Sequence, residues 1–137
     1  MPIQLDEATR NARLDVIESL NGTSCCLEIR TGVQPPSCAA PSSGTVLATI
    51  NLPTDWMSPA SGGVKSKLGV WQDTTADATG LAGHFRIYSS QATKDGTTCF
   101  MQGSVGQGAG NLSLDNISIV AGQTINIGSF DLTSGNA

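Results

Sequence analysis

The chain has 137 residues, of which 39% are apolar and only 13% are charged, and its formal net charge is -4. The lysine and arginine residues do not cluster, whereas nucleic acids and acidic membranes require a concentrated positive patch, so we expect neither as a partner. No apolar run approaches the roughly 18 residues of a membrane helix, and the polar N-terminus lacks a signal peptide's basic and apolar regions. We therefore expect one domain, residues 1–137, synthesised in a cytoplasm.

The first predicted element is a helix over residues 6–20. Asp6 can cap its start, and Asn21 with Gly22 can end it. The apolar residues recur at spacings of three and four, which predicts one stripe: Leu5, Ala8, Ala12, Val16 and Leu20. We expect this stripe to cover one end of the core, and the alternative is a helix that faces a partner.

Beyond Cys25 the apolar period changes to two, which predicts strands between residues 25 and 132. Strands are expected from Cys25, where Leu27 and Ile29 share a face, and over residues 45–52. A further strand is expected over residues 64–71, with Val64, Ser66, Leu68 and Val70 on one face and Lys65, Lys67 and Trp71 on a wet face. The proline-rich segment 34–43 is predicted to be a loop, because proline cannot donate to a ladder.

Two hairpins are predicted in the second half of the chain. Residues 84–90 and 97–105 form the first, with Phe85 and Ile87 inward and a turn at residues 94–96. Residues 112–132 form the second, because folding at Gly122 matches four apolar pairs: Ile119 with Ile125, Ile117 with Ile127, Leu114 with Phe130, and Leu112 with Leu132. The tail after Leu132 is expected to fray.

Seven or so short strands with regular turn signals favour a mainly β fold, an antiparallel sandwich or barrel with one short N-terminal helix. A turn-rich loop, residues 54–63, carries the large apolar pair Trp56 and Met57. Such a pair either folds back on the core or is held out for a partner. Trp56 and Met57 are the candidate partner-contact residues.

No residue pattern indicates catalysis, a cofactor or a metal, and we do not expect an enzyme. His84 lacks a nucleophile context and is expected to be an ordinary strand residue. Asp73 and Asp77 lack the dense oxygen set of a calcium site, and the glycines of residues 106–110 lack the lysine and helix of a phosphate loop. Cys25, Cys26, Cys38 and Cys99 show no metal spacing; free buried thiols are expected, with a disulfide involving Cys38 as the alternative.

Several segments resemble one protein family over nearly the whole chain. They are residues 29–32 (IRTG), 44–48 (GTVLA), 52–53 (LP), 83–88 (GHFRIY), 103–105 (GSV), 114–116 (LDN) and 132–137 (LTSGNA). The sequence is similar here to the small capsid cement (decoration) proteins of tailed phages and prophages.

The resemblance implies a jelly-roll-like β-sandwich that binds the outer surface of the major capsid protein lattice. Such a protein stabilises the head by bridging capsomers, as a homodimer about two-fold axes, and reaches the virion after synthesis in the bacterial host cytoplasm. The resemblance carries over no binding residues. The alternative is a tail accessory or carbohydrate-binding β-sandwich module, and the latter should expose aromatic platforms.

Overall fold

A computed structural model of the protein describes residues 3–134. Within that range the chain forms one helix and ten strands, which confirms a mainly β fold with one N-terminal helix. The elements are α1 (Glu7–Asn21), β1 (Cys26–Thr31), β2 (Val46–Asn51), β3 (Val64–Ser66), β4 (Trp71–Asp73), β5 (Gly80–Tyr88), β6 (Cys99–Gln107), β7 (Leu112–Leu114), β8 (Ser118–Ile119), β9 (Ile125–Ile127) and β10 (Asp131–Thr133).

The main sheet has six strands and curls into a half-barrel around the core. Its order is β2-β1-β5-β6-β7, and β8 also pairs with β5. Strands β3 and β10 form one small two-stranded sheet, and β4 and β9 form another. The expected all-antiparallel arrangement is wrong at one position, because β6 and β7 run parallel. The glycine-rich stretch after β6 provides that connection.

The predicted hairpin formed by β5 and β6 is confirmed. Phe85 lies opposite Gly103 and Ile87 opposite Met101, and both predicted inward residues, Phe85 and Ile87, are buried. At the turn, the carboxylate of Asp95 accepts a hydrogen bond from the Thr97 N–H at 2.8 Å. The Ser89 N–H donates to the Thr98 carbonyl at 2.9 Å, so the pairing of the two strands extends into the polar connection, residues 89–98.

The predicted hairpin of residues 112–132 is wrong. A tight turn does occur at Gly122, which has a φ of 88°, but the arms on either side do not pair with each other. Strand β8 pairs with β5, β9 with β4, and β10 with β3. The eight apolar residues nevertheless all lie in the core or pack against it. Their apparent symmetry arises because both arms alternate against the same core, and alternation does not identify the neighbouring strand.

The predicted strand over residues 64–71 is also wrong, because the strand is interrupted and because its buried and exposed faces are the reverse of those predicted. It is divided into β3 and β4, and the expected wet residues Lys65 and Trp71 are buried, whereas Val64 and Val70 are exposed. Trp71 packs against Phe130, with ring centroids 5.6 Å apart. The buried and exposed faces are reversed because burial of the large Trp71 ring contributes more free energy than burial of the smaller valines would.

Helix α1 has the predicted ends but not the predicted orientation. The Asp6 carboxylate caps the N-terminus by accepting from the Thr9 N–H at 3.0 Å, and the Gly22 N–H donates to the Glu18 carbonyl at the C-terminus. Leu14 is buried, whereas Val16 and Leu20 are exposed. The predicted apolar stripe therefore faces away from the core.

The four cysteines are free, with Cys38 half-buried and the other three buried. Part of the predicted frayed tail is held, since the Ser134 N–H donates to the Gly63 carbonyl at 2.9 Å; residues 135–137 lie outside the described part of the chain. No helix among residues 3–134 is long and apolar enough to cross a membrane.

Candidate partner-binding surface

The predicted contact residues Trp56 and Met57 are folded back on the core, with exposures of 0% and 1%. The Trp56 ring lies 6.2 Å from Trp71 and 5.8 Å from Phe100 between ring centroids. Its Nε1–H donates to the Gly22 carbonyl at 3.1 Å, at the end of α1. Contact between this pair and a partner stays a prediction, and it would require the loop to open.

The loop that carries Trp56 is attached to α1 by carboxylates of the helix. The Met57 N–H donates to Glu18 Oε2 at 3.2 Å, and the Ala60 N–H donates to Asp15 Oδ1 at 2.9 Å. Farther along, the Gly63 N–H donates to Asn11 Oδ1 at 2.9 Å. Since these acceptors are side chains, the polar face of α1 supplies partners for loop backbone groups that would otherwise remain unsatisfied.

Lys65 provides the ion pairs at this junction. Its Nζ lies 2.8 Å from Asp15 Oδ1 and 3.1 Å from Glu18 Oε1, and it also donates to the Ser58 carbonyl at 3.0 Å. The lysine side chain is only 1% exposed, whereas Asp15 remains half-exposed. A buried ammonium is tolerated when paired and fully hydrogen-bonded. Sequence reasoning missed it, although Asp15 and Glu18 stand three apart on the helix face opposite the apolar stripe.

The ion pairs shift the pKa values of both partners. Burial lowers the pKa of Lys65, but hydrogen bonds from its ammonium to Asp15 and Glu18 outweigh that effect and raise it above its ordinary value of 10.5. The hydrogen bond from Lys65, followed by that from the Ala60 N–H, holds the pKa of Asp15 below its ordinary value of 3.8. Each partner therefore favours the charged form of the other.

This junction should make stability depend on pH at both extremes. Asp15 contributes stability that is present above pH 3.8 and lost as the pH falls through its lower folded pKa. Lys65 contributes stability that is present below pH 10.5 and lost as the pH rises through its higher folded pKa. We expect wild-type protein to melt higher than Lys65→Met near neutral pH, and the difference to shrink toward both extremes. Thermal melts followed by circular dichroism test this; a constant difference would contradict it.

Because the polar face of α1 is bonded to the loop and to Lys65, the apolar face of the helix points toward solvent. Val16 is 53% and Leu20 78% exposed, and they lie on one line of the helix at intervals of four residues. We call this surface the α1 stripe; its exposed members are Ala8, Ala12, Val16 and Leu20. An apolar line on a helix held rigidly from behind is typical of a protein–protein contact.

A cleft of about 630 Å³ lies beside the α1 stripe, between α1 and the loop that carries Trp56. Lys65 and Met57 lie in its wall with the carboxylates of Asp15, Glu18 and Asp55. The cleft thus holds three carboxylates and one ammonium, and the Lys65 ammonium already pairs with Asp15 and Glu18, which leaves an excess of negative charge in the cleft.

A second polar region lies under the proline-rich loop on the outer face of the main sheet. Arg86 is fully buried there, and its guanidinium donates to the carbonyls of Cys38 at 2.6 Å and Ala40 at 3.1 Å and to Ser42 Oγ at 3.0 Å. The guanidinium also lies 5.8 Å from the ring centroid of Tyr88. These bonds join distant segments, and they fasten the loop to the sheet.

His84 lies buried on the same face of β5, as expected of a strand residue. Its Nδ1 is 2.9 Å from the Gly32 carbonyl. Burial lowers the pKa of His84 despite that hydrogen bond, so the neutral ring is favoured. The two aspartates considered as a cation site instead accept hydrogen bonds from threonines: Asp73 from the Thr49 and Thr75 N–H groups, and Asp77 from the Thr49 hydroxyl. Among residues 3–134, no group of three potential ligands lies close enough to hold a metal.

Comparison with protein-family models, characterised proteins and solved structures finds no match to this chain.

Proposed function

We propose that this protein is a capsid cement protein of a tailed phage or prophage, which binds the outer surface of the major capsid protein lattice and bridges capsomers. The observation that carries the proposal from the structure is the α1 stripe, an exposed apolar line on a helix whose opposite face is fixed to the body. The sequence resemblance supports the capsid as the partner.

The contact would combine two kinds of interaction. Val16 and Leu20 are the exposed apolar anchors, and the cleft beside them would receive a basic side chain of the capsid protein. Ser19 lines this cleft next to Leu20. A few well-buried residues supply most of the binding energy of an interface, whereas charge complementarity improves specificity and association rate.

The remaining parts of the proposal come from the resemblance. They are a homodimer about two-fold axes, residence on the virion, and a jelly-roll-like sandwich. The half-barrel and the two small sheets would be an irregular version of that sandwich. No observation favours the carbohydrate-binding alternative, since all six aromatic side chains are at least half-buried.

The test is co-sedimentation with empty shells assembled from the major capsid protein of the same phage or prophage. Burying one valine or leucine contributes about 1.5–3 kcal/mol, and 1.4 kcal/mol is a tenfold change in affinity. We therefore expect Val16→Ser with Leu20→Ser to weaken shell binding at least about tenfold. Binding to shells should also exceed binding to isolated capsid subunits, because bridging raises the effective concentration for the second contact.

Leu81→Ser is the matched control. Leu81 is 60% exposed on β5, outside the α1 stripe, so this variant should bind shells as the wild type does. Circular dichroism should show all variants folded. If the double variant binds normally, the α1 stripe is not the contact; if the wild type does not bind shells, the cement proposal falls.

A further inference from the structure

The proline-rich loop, residues 34–43, is fastened on both sides of Cys38. Arg86 holds the carbonyls of Cys38 and Ala40, and the Tyr88 hydroxyl lies 3.0 Å from Ser42 Oγ. Nearer the start of the loop, Gln102 Nε2 donates to the Pro35 carbonyl at 2.7 Å. Contacts from β5 and β6 therefore fix the position of Cys38 over the outer face of the main sheet.

Cys99 lies directly beneath this part of the loop. It is the first residue of β6 and is opposite Tyr88 in the antiparallel pair, and opposed residues share one face of a sheet. The loop backbone also approaches the chain just before β6 closely: a Cβ added at Gly96 would collide with the carbonyl oxygen of Ala39. The backbone contact between Ala39 and Gly96 thus brings the segment that carries Cys38 close to the segment that carries Cys99.

The pKa of Cys38 reflects both its burial and the nearby Cys99. Burial, and then a side-chain hydrogen bond with Cys99, raises the pKa of Cys38 to about 11. Three of the four thiols donate to backbone carbonyls: Cys25 Sγ to that of Asn21 at 3.5 Å, Cys26 Sγ to that of Leu27 at 3.9 Å, and Cys99 Sγ to that of Met101 at 3.5 Å.

We propose that Cys38 and Cys99 are a disulfide-forming pair that ties the proline-rich loop covalently to β6. The oxidant is a small disulfide such as oxidised glutathione. The Cys38 thiolate attacks one glutathione sulfur, which breaks the glutathione disulfide and releases one reduced glutathione. The Cys99 thiolate then attacks the Cys38 sulfur and releases the second. Two thiols and one oxidised glutathione become one protein disulfide and two reduced glutathiones.

The bond should form slowly and, once formed, be stable. Only the thiolate attacks, so a pKa of about 11 for Cys38 limits the reaction near neutral pH. The rate should rise about tenfold for each pH unit below that pKa. Because backbone contacts already hold the Cys38 and Cys99 segments close to each other, closing the bond should remove little further conformational freedom. The disulfide would therefore act as a permanent crosslink that fixes the loop to β6, and not as a rapid redox switch.

Trypsin provides a direct test on the whole protein. Cleavage after lysine and arginine places Cys25 and Cys26 in residues 14–30, Cys38 in residues 31–65 and Cys99 in residues 95–137. After incubation with oxidised glutathione at pH 8.5 and alkylation of remaining thiols, mass spectrometry without reductant should find residues 31–65 linked to 95–137. The oxidised protein should also melt at a higher temperature than the reduced protein.

Cys25→Ser should keep this link and Cys38→Ser should abolish it. The proposal is overturned if residues 31–65 are recovered alkylated, carrying glutathione, or linked to residues 14–30. A disulfide between two protein molecules on a non-reducing gel would overturn it as well. None of these outcomes depends on capsid binding, so failure of the disulfide proposal would not contradict the proposed function, which the co-sedimentation experiment tests separately.

Discussion

Trp56→Ala should lower the free energy of unfolding by about 3–5 kcal/mol, the usual cost of truncating a large buried aromatic residue. The ring is fully buried between Trp71 and Phe100, so its loss leaves a cavity in the core. It also deprives the Gly22 carbonyl of its indole donor at the end of α1. Urea denaturation followed by far-ultraviolet circular dichroism measures the change.

The matched control is Val70→Ala, at a residue that is 64% exposed and should alter stability by no more than about 0.5 kcal/mol. The pair of variants separates two roles for Trp56. A core residue loses stability when truncated, whereas a contact residue held out for a partner would lose binding and keep its stability. Wild-type stability in Trp56→Ala would show that the loop does not pack as described.

Features encoded by neighbouring residues were predictable from the sequence. The ends of α1 follow from Asp6 and Gly22, which act within one turn of the helix. The β5–β6 hairpin follows from two strand patterns joined by a polar turn. In both cases the partners are close in sequence, so the local pattern contains the relevant information.

Features that depend on distant partners were not predictable in this way. Alternation in residues 112–132 correctly indicates which side chains face the core, but β8, β9 and β10 each pair with a segment far away in sequence. The orientation of α1 was missed for the same reason. Its amphipathic pattern predicts that the apolar side faces inward, whereas ion pairs with Lys65, from β3, favour an orientation in which Asp15 and Glu18 face the body of the protein.

The candidate partner-binding surface also combines features that the sequence could predict with features that it could not. The sequence predicts the residues of the α1 stripe, with a partner-facing helix as the alternative, and it names Trp56 and Met57 as candidate contact residues while leaving open that they fold back on the core. A large aromatic in a turn-rich loop is ambiguous without its surroundings. Only the facing rings of Trp71 and Phe100 place Trp56 in the core.

Arg86→Met should lower the free energy of unfolding by at least about 1.5–3 kcal/mol, the usual contribution of a hydrogen bond to a charged group. Methionine retains an apolar stem but leaves the carbonyls of Cys38 and Ala40 without their guanidinium donor. We expect the proline-rich loop to detach from the sheet and to be cleaved faster in limited proteolysis. Urea denaturation and proteolysis time courses measure the two effects.

Arg86→Lys should resemble Arg86→Met more than the wild type. A lysine ammonium is a single point of donation, whereas the planar guanidinium reaches Ser42 Oγ with one nitrogen and the loop carbonyls with the other. Arg13→Met, at an exposed arginine of α1, is the control for loss of a positive charge and should leave loop cleavage unchanged. If Arg86→Lys keeps wild-type stability and loop protection, the positive charge alone suffices. The forked geometry of Arg86 would then not be what fastens the loop.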